Sequence, residues 1–298
     1  MRRNSDRLKA AILGTGNIGT DLLVKILQSK YLECTYFIGR NRDSHGLSLA
    51  GSWGVRTSHQ SIRAIQEDPD CCDLVFDATS ARDHLLHAPI LKKLGKTVID
   101  LTPARIGTMC IPAINLEACV GKSNINMVTC GGQSSVPLAH AIGQTHSEVE
   151  YIEVVSTVAS KGAGPATRIN LDEYIETTES CIRQFSGSRQ SKTILNLNPA
   201  EPCIDMQSTL LAKVKNPSME QLTKLVNETA ANIRQYVPGY QLIMPPTFKE
   251  GHIQMMIRVQ GRGDYLPPYA GNLDIINCAA IATAERLAKA RLTEGVVH

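Results

Sequence analysis

The stretch LKAAILGTGNIG, residues 8–19, decides how this chain is read. Residues 8–13 are an apolar run that stops at Gly14-Thr15-Gly16-Asn17-Ile18-Gly19, after which Ile18, Leu22, Leu23, Ile26 and Leu27 recur at helical spacing. Strand, glycine turn and helix follow one another without a break. Three glycines so placed let the backbone approach a pyrophosphate at the N-terminus of a helix, which identifies Gly14, Thr15, Gly16, Asn17, Ile18 and Gly19 as a candidate dinucleotide turn.

Working outward, short apolar strands at residues 36–38, 73–78, 97–101 and 124–129 alternate with helical segments such as residues 80–94. This alternation predicts a parallel sheet with helices on its faces, a Rossmann dinucleotide-binding domain. Beyond residue 130 the pattern changes. Long alternating runs at residues 149–156, 193–197, 204–210 and 253–259 flank amphipathic helices at residues 170–185 and 219–236, as in a mixed or antiparallel sheet covered on one side. The segment 271–290 reads as a final helix, long enough to pack back on the first domain. The expected division is residues 1–130 with 270–298 for the dinucleotide-binding domain, and 131–269 for an α+β catalytic and dimerisation domain.

The chain has 298 residues, 43% of them hydrophobic and 20% charged, which excludes a disordered or low-complexity protein. Its net charge of +3 and 4% aromatic content give no electrostatic or stacking case for nucleic acid. No stretch approaches a membrane span. Nine cysteines occur without a CxxC pair, and no signal peptide is visible, so a reduced, cytoplasmic protein with nine thiols is expected.

At the end of the second strand the fingerprint calls for an acidic residue that holds a ribose hydroxyl. The chain has Arg40-Asn41-Arg42 there, with no carboxylate before Asp43. Two arginines around Asn41 suit a 2′-phosphate, so NAD and NADP both stay open.

Cys130 stands apart from the other thiols. It follows a strand, precedes Gly131-Gly132 and opens a helix, where backbone amides favour the thiolate. A cysteine nucleophile beside a nicotinamide suggests aldehyde oxidation through an enzyme thioester, with backbone amides and the side chain of Asn272 steadying the oxyanion. His84 and His87 have a spacing that could hold a metal, yet two ligands on a solvated helix read as a polar face, and no metal site is expected. His140 and His146 lie more than two turns beyond Cys130, so sequence does not make either its base.

Taken together, GTGNIGTDL, VFDATSA, VIDLTPA, MVTCGGQ, ASKGAGPATR, LDEYIETT, LNPAEP, YVPGY, YLPPYAGNLDI and AAIATAE resemble, in the same order, the acylating acetaldehyde dehydrogenases. That resemblance implies a short aldehyde as substrate, NAD as cofactor, coenzyme A as cosubstrate and Cys130 as the acyl carrier. It implies further that Gly162, Ala163, Gly164, Pro165, Ala166, Thr167, Arg168, Ile169, Asn170 and Asn272 line the nicotinamide or substrate site. A homodimer, or a heterotetramer with a 4-hydroxy-2-oxoacid aldolase acting in aromatic catabolism, is also implied. Three departures stand out: Ser208 where the family has an aspartate, Asn41 at the ribose position, and a segment 241–251 that reads as shortened. Asp205 lies three residues from Ser208 and so on the opposite face of an extended strand. These departures keep two alternatives in view, an NADPH-linked acyl-CoA reductase and a catalytically weak cofactor-binding subunit of an aldolase complex.

Overall fold

The computed structural model describes residues 7–294. In chain order its strands and α-helices are β1 (Leu8–Leu13), α1 (Asn17–Gln28), β2 (Leu32–Ile38), α2 (His45–Ser52), β3 (Thr57–Ser58), α3 (Arg63–Glu67), β4 (Leu74–Asp77), α4 (Ala81–Lys93), β5 (Thr97–Asp100), β6 (Thr108–Met109), α5 (Pro112–Asn115), β7 (Asn124–Asn126), α6 (Cys130–Thr145) and β8 (Val149–Ala159). They continue with α7 (Pro165–Ile169), α8 (Leu171–Ser186), β9 (Gln190–Asn198), β10 (Met206–Val214), α9 (Met219–Arg234), β11 (Tyr240–Lys249), β12 (His252–Val259) and α10 (Gly271–Glu294). The described residues divide into two compact units: residues 7–110, 115–127 and 280–294, and residues 111–114 and 128–279.

The first unit is built on a seven-stranded sheet in the order β3-β2-β1-β4-β5-β7-β6, every pair parallel. β1 is buried at every position except Lys9, as a central strand covered on both faces must be. Ile12, Phe76 and Ile99 are fully buried, and each such side chain contributes roughly 1.5–3 kcal/mol. The strand order reverses at β1 and β4, which opens the crevice where doubly wound sheets take their ligands. The second half of α10 belongs to this unit. There Arg286 forks onto Glu117 at 2.7 and 2.5 Å, Glu285 accepts from Ser29 at 2.6 Å, and the Cys110 and Thr283 side chains meet at 3.6 Å.

The second unit carries a five-stranded mixed sheet, β11-β12-β10-β8-β9, antiparallel except for β8 with β9. Its inner face is strictly alternating: Ile152, Val154 and Val158 from β8, Met206, Leu210 and Ala212 from β10, and Ile253, Met255 and Ile257 from β12 are all buried. Helices α6, α8 and α9 pack on this sheet. Hydroxyls interrupt the apolar face at Thr193 of β9 and at Ser156 and Ser208, the last two directly opposite each other in the β8–β10 register.

The parallel sheet, the mixed sheet and the C-terminal helix are those the sequence predicts. Three strands were not legible: the two-residue β3 and β6, too short to show a pattern, and β11. Residues 240–249 form β11, an edge strand whose register against β12 slips around Pro245-Pro246. Proline removes a ladder donor and hides an edge strand from pattern reading. The strand expected at 124–129 stops at Asn126, because Val128 takes a left-handed φ of 63°.

Candidate active site

The glycine turn lies between β1 and α1. Gly14 has φ +108°, a conformation side chains rarely adopt, and a Cβ there would collide with the Ala78 carbonyl oxygen just past β4. A Cβ at Gly19 would strike the Gly14 carbonyl, whereas one at Gly16 would meet nothing within 4 Å. Gly16 is the N-cap of α1, supplies no side-chain cap, and no acidic residue sits in the first turn. The turn is therefore a close-packed cradle with its open side at a helix N-terminus, and it fits a pyrophosphate.

The segment after β2 is tied to that turn. Ser44 and Thr15 share a hydrogen bond of 2.8 Å. Arg40 is exposed, 3.8 Å from Asp83, and Arg42 is exposed as well. The Asn41 side chain accepts from the Asp43 amide at 3.1 Å, closing its own turn. A groove beside it is lined by Arg42, Ser44, His45, Ser58 and His59.

His84 and His87 are not a solvated face. Both are buried, at 0% and 5% exposure, and both direct Nδ1 at Asp77 Oδ2, at 3.0 and 2.9 Å. His84 Nε2 lies 3.4 Å from Asp100 Oδ2, and Asn126 donates to the same carboxylate oxygen at 2.7 Å. Burial works against each charge. For His84 the two carboxylates outweigh it and hold the imidazole above its ordinary pKa. For Asp77 the bonds from His84 and His87 outweigh it and pull the carboxyl well down. For Asp100 burial wins, and its pKa is pushed up to about 6. The expectation failed because helix periodicity cannot show that α4 turns this stripe onto the ends of β4 and β5. Among the described residues, no group of three or more His, Cys, Asp or Glu is arranged to hold a metal ion.

Cys130 is the first residue of α6 and is half-buried. Thr129 caps the helix by accepting from the Gly132 amide at 2.9 Å, which fixes the strand-to-helix corner. The thiol lies 3.8 Å from the Tyr174 hydroxyl. A Cβ on Gly131 would run into that hydroxyl and come within 3.3 Å of Ser156 Oγ, so glycine at 131 makes room for both. Ser156 Oγ and the Tyr174 hydroxyl thus flank the same point over Gly131. Ser208 Oγ is 2.8 Å from Ser156 Oγ and 3.2 Å from Ser134 Oγ, and Ser134 donates to the Gly131 carbonyl at 2.9 Å. Burial raises the Cys130 pKa; the Tyr174 bond and the Gly131 and Cys130 amides offset part of that rise, and no charged side chain contributes. His140 is bonded to the Phe185 carbonyl at 2.7 Å and His146 to the Ser218 amide at 3.0 Å, so both are engaged elsewhere.

Residues 162–170 form a short turn and α7. Arg168 folds back to staple it, donating to Ala163 O at 3.1 Å and to Ser160 Oγ at 2.9 Å. Gly162 and Ala163 are buried, Gly164 and Thr167 half-buried, Ile169 exposed, and Asn170 precedes α8 as its N-cap. Pro165 and Ala166 supply the first turn of α7. Asn272, 2% exposed, reaches this segment: Nδ2 donates to Gly162 O at 3.2 Å, and Oδ1 is buried with no hydrogen-bond partner. The structure thus brings Asn272 to Gly162, and Thr15 to the loop after Arg40 and Asn41. Tyr174, Ser156 and Ser134 escaped sequence reading, because their partners lie 44 to 106 residues away. The one available signal was Tyr174 inside LDEYIETT.

Comparison with known proteins joins these observations. The model for the prokaryotic acetaldehyde dehydrogenase dimerisation region matches residues 130–267, and that for the semialdehyde dehydrogenase NAD-binding domain matches residues 9–120. An acetaldehyde dehydrogenase of Spirochaeta aurantia is 59% identical over 95% of both chains, and one of Pectobacterium atrosepticum 53% identical over 98% of this chain and 99% of its own. Among solved structures, aspartate semialdehyde dehydrogenase with NADP from Candida albicans superposes with a TM-score of 0.64 at 12% identity, covering 94% of this chain and 99% of its own. That last likeness is one of fold. On the first two, with a nicotinamide-binding domain before Cys130 and the dimerisation region after it, the chain belongs to the prokaryotic acetaldehyde dehydrogenase family.

Proposed function

We propose that the chain is an acylating aldehyde dehydrogenase that converts a short aldehyde such as acetaldehyde, with NAD and coenzyme A, into acyl-CoA and NADH through a thioester on Cys130. The observation that carries this reading is the position of Cys130 at the first turn of a sixteen-residue helix, its sulfur 3.8 Å from the Tyr174 hydroxyl. The thiolate adds to the aldehyde carbon and gives a hemithioacetal. When bound, the nicotinamide supplies the acceptor for the hydride that leaves this carbon. A thioester remains on Cys130; the coenzyme A thiolate attacks it and Cys130 departs as the thiolate, ready for another turn. Backbone amides at the start of α6 and the Asn272 Nδ2 are the donors suited to the oxyanion in both additions.

Gly14, Thr15, Gly16, Asn17, Ile18 and Gly19 hold the pyrophosphate, and Arg40 and Asn41 face the adenosine ribose. The absence of a carboxylate before Asp43, with Arg42 lining the adjoining groove, supports acceptance of NADP beside NAD. Gly162 through Asn170 serve as the backbone wall of the nicotinamide or substrate site, and the Asn272 bond to Gly162 supports that role. The outer face of the five-stranded sheet, where Val155, Ile194, Leu211 and Met256 are partly exposed, suits pairing with a second copy. A 4-hydroxy-2-oxoacid aldolase is the expected further partner. Among the described residues no helix is long and apolar enough to cross a membrane, and nine free thiols suit the cytoplasm.

The test is a reduced-nicotinamide assay with purified protein, acetaldehyde or propanal, coenzyme A, and NAD or NADP, beside Cys130→Ala. Coenzyme A-dependent turnover that the variant loses is the expected result. No turnover with either cofactor, or turnover indifferent to Cys130, refutes the reading.

A further inference from the structure

We propose that Tyr174 is a catalytic residue that holds the Cys130 thiolate by hydrogen bonding, and that Ser156, Ser208 and Ser134 position it in a hydroxyl chain whose polarity reverses when the thiol ionises. The proposal rests on the reading of Cys130 as the nucleophile. It answers what takes the place of a carboxylate at position 208.

Four hydroxyls lead from the thiol to one carbonyl: Tyr174, 3.8 Å from the sulfur; Ser156, whose Oγ flanks the same point over Gly131 as the Tyr174 hydroxyl; and Ser208 and Ser134, bonded in succession to Ser156, with Ser134 donating to Gly131 O. All four residues are buried. With Cys130 as a thiol, each group donates to the next, from S–H to the Tyr174 oxygen and onward to Gly131 O, so each hydroxyl oxygen accepts one bond and gives one. On ionisation the S–H bond breaks, sulfur keeps the electron pair and the proton leaves to water. Tyr174 O–H then turns to sulfur, Ser156 to Tyr174, Ser208 to Ser156 and Ser134 to Ser208. The last turn leaves no bare carbonyl, because Gly131 O also accepts from Ser135 Oγ at 2.6 Å. A chain that ends on a carbonyl has nowhere to deposit a proton. It reorients around the charge and is not the route by which the proton leaves.

Two features favour this over a general-base role for the phenol. Burial and the neighbouring Cys130 hold the Tyr174 pKa well above its ordinary value, which keeps it a donor throughout. Ser156 and Ser208 are paired hydroxyls, 2.8 Å apart, on strands whose other inward side chains Ile152, Val154, Val158, Met206, Leu210 and Ala212 are apolar. A donor to a charged sulfur is worth more than one to a neutral group, so losing it raises the thiol pKa.

The experiment is the pH dependence of Cys130 alkylation by iodoacetamide, resolved by peptide mass spectrometry, in the protein without aldehyde, cofactor or coenzyme A. Tyr174→Phe is expected to slow alkylation at pH 7 about tenfold while leaving the high-pH plateau unchanged, which shows that the site is folded. Ser208→Ala shifts the profile in the same direction by about threefold, and Ser208→Thr, which keeps the hydroxyl, restores it. An unchanged profile in Tyr174→Phe, or a Ser208→Thr profile like that of Ser208→Ala, overturns the proposal. Because no turnover is measured, failure here is distinct from failure of the aldehyde dehydrogenase reading.

Discussion

The Asp77–His84–His87–Asp100 cluster of the first unit and the Tyr174–Ser156–Ser208–Ser134 chain of the second are both buried polar networks, but one is charged and the other neutral. The charged cluster lies at the C-terminal ends of β4 and β5, where Asp77 also accepts from the Thr79 amide at 3.1 Å and from the Thr79 hydroxyl. Between those residues is Ala78, whose carbonyl abuts Gly14. Strong bonds in fixed directions suit a backbone that must not move under a cofactor. The hydroxyl chain has no preferred direction of donation, which suits a group that gains and loses charge in every cycle. A charged network buys rigidity and a neutral one reversibility.

The comparison breaks most readily at Asp77. Asp77→Asn removes the carboxylate on which two buried imidazoles depend, and losing one partner of a buried charged network costs about 3–5 kcal/mol. Urea unfolding is expected to show a loss of that size, with cofactor affinity falling alongside it. A loss below about 1 kcal/mol would mean that the cluster is not the anchor of the turn.

A single alanine at Gly14 tests the same corner from the other side. Its left-handed φ and the Ala78 carbonyl leave no space for a Cβ, so Gly14→Ala carries roughly 1–3 kcal/mol of strain in the turn itself. Calorimetric titration with NAD should show binding weakened at least about tenfold, the equivalent of 1.4 kcal/mol. Binding that matches the unmodified protein would remove the turn from the cofactor site.

The cluster also sets a pH dependence. His84 has a folded pKa above its unfolded value, so its contribution to stability is complete below about 6.5, the unfolded value, and fades as pH rises through the folded one. Asp77 runs the other way: its contribution is present above about 3.9 and fades as pH falls. Asp100, raised to about 6, gives up its contribution between about 3.9 and about 6, so its loss is largely complete before the alkaline window, where His84 sets the slope. Thermal unfolding at pH 6 and pH 8.5 is expected to show stability falling with pH, and the fall should shrink in His84→Gln. A slope identical in the two proteins would leave the imidazole neutral throughout.

The two networks also mark how far sequence reaches. The glycine turn, the βα alternation and the corner at Cys130 are local patterns, written in residues adjacent in the chain, and all three were legible. The networks are not local. His84 and His87 face inward only because α4 is laid against β4 and β5, and the neighbouring exposed Leu85 and Leu86 invert the usual hydrophobic signal on that helix. Ser208 was read as the place of a missing carboxylate, yet its partners Ser156 and Ser134 come from β8 and α6, at separations of 52 and 74 residues. Strand alternation put Asp205 on the opposite face from Ser208; in the structure Ser208 is on the inner face and Asp205 precedes β10 altogether. Periodicity supplies the face but not the neighbour.

The smallest expected effect is the most discriminating one. Ser208→Ala deletes a neutral hydroxyl: Ser134 keeps the Gly131 carbonyl, and Ser156 keeps its place beside the Tyr174 hydroxyl over Gly131. The new methyl sits between Met206 and Leu210 in register with an apolar inner face. A neutral hydrogen bond contributes about 1 kcal/mol net, so urea unfolding of Ser208→Ala should stay within that margin, several-fold below the cost of Asp77→Asn. Cys130 alkylation should still shift, because the chain can no longer turn as a whole toward the sulfur. Stability that falls as far as in Asp77→Asn would make the hydroxyls a structural network like the charged one, and the distinction between the two regions would dissolve.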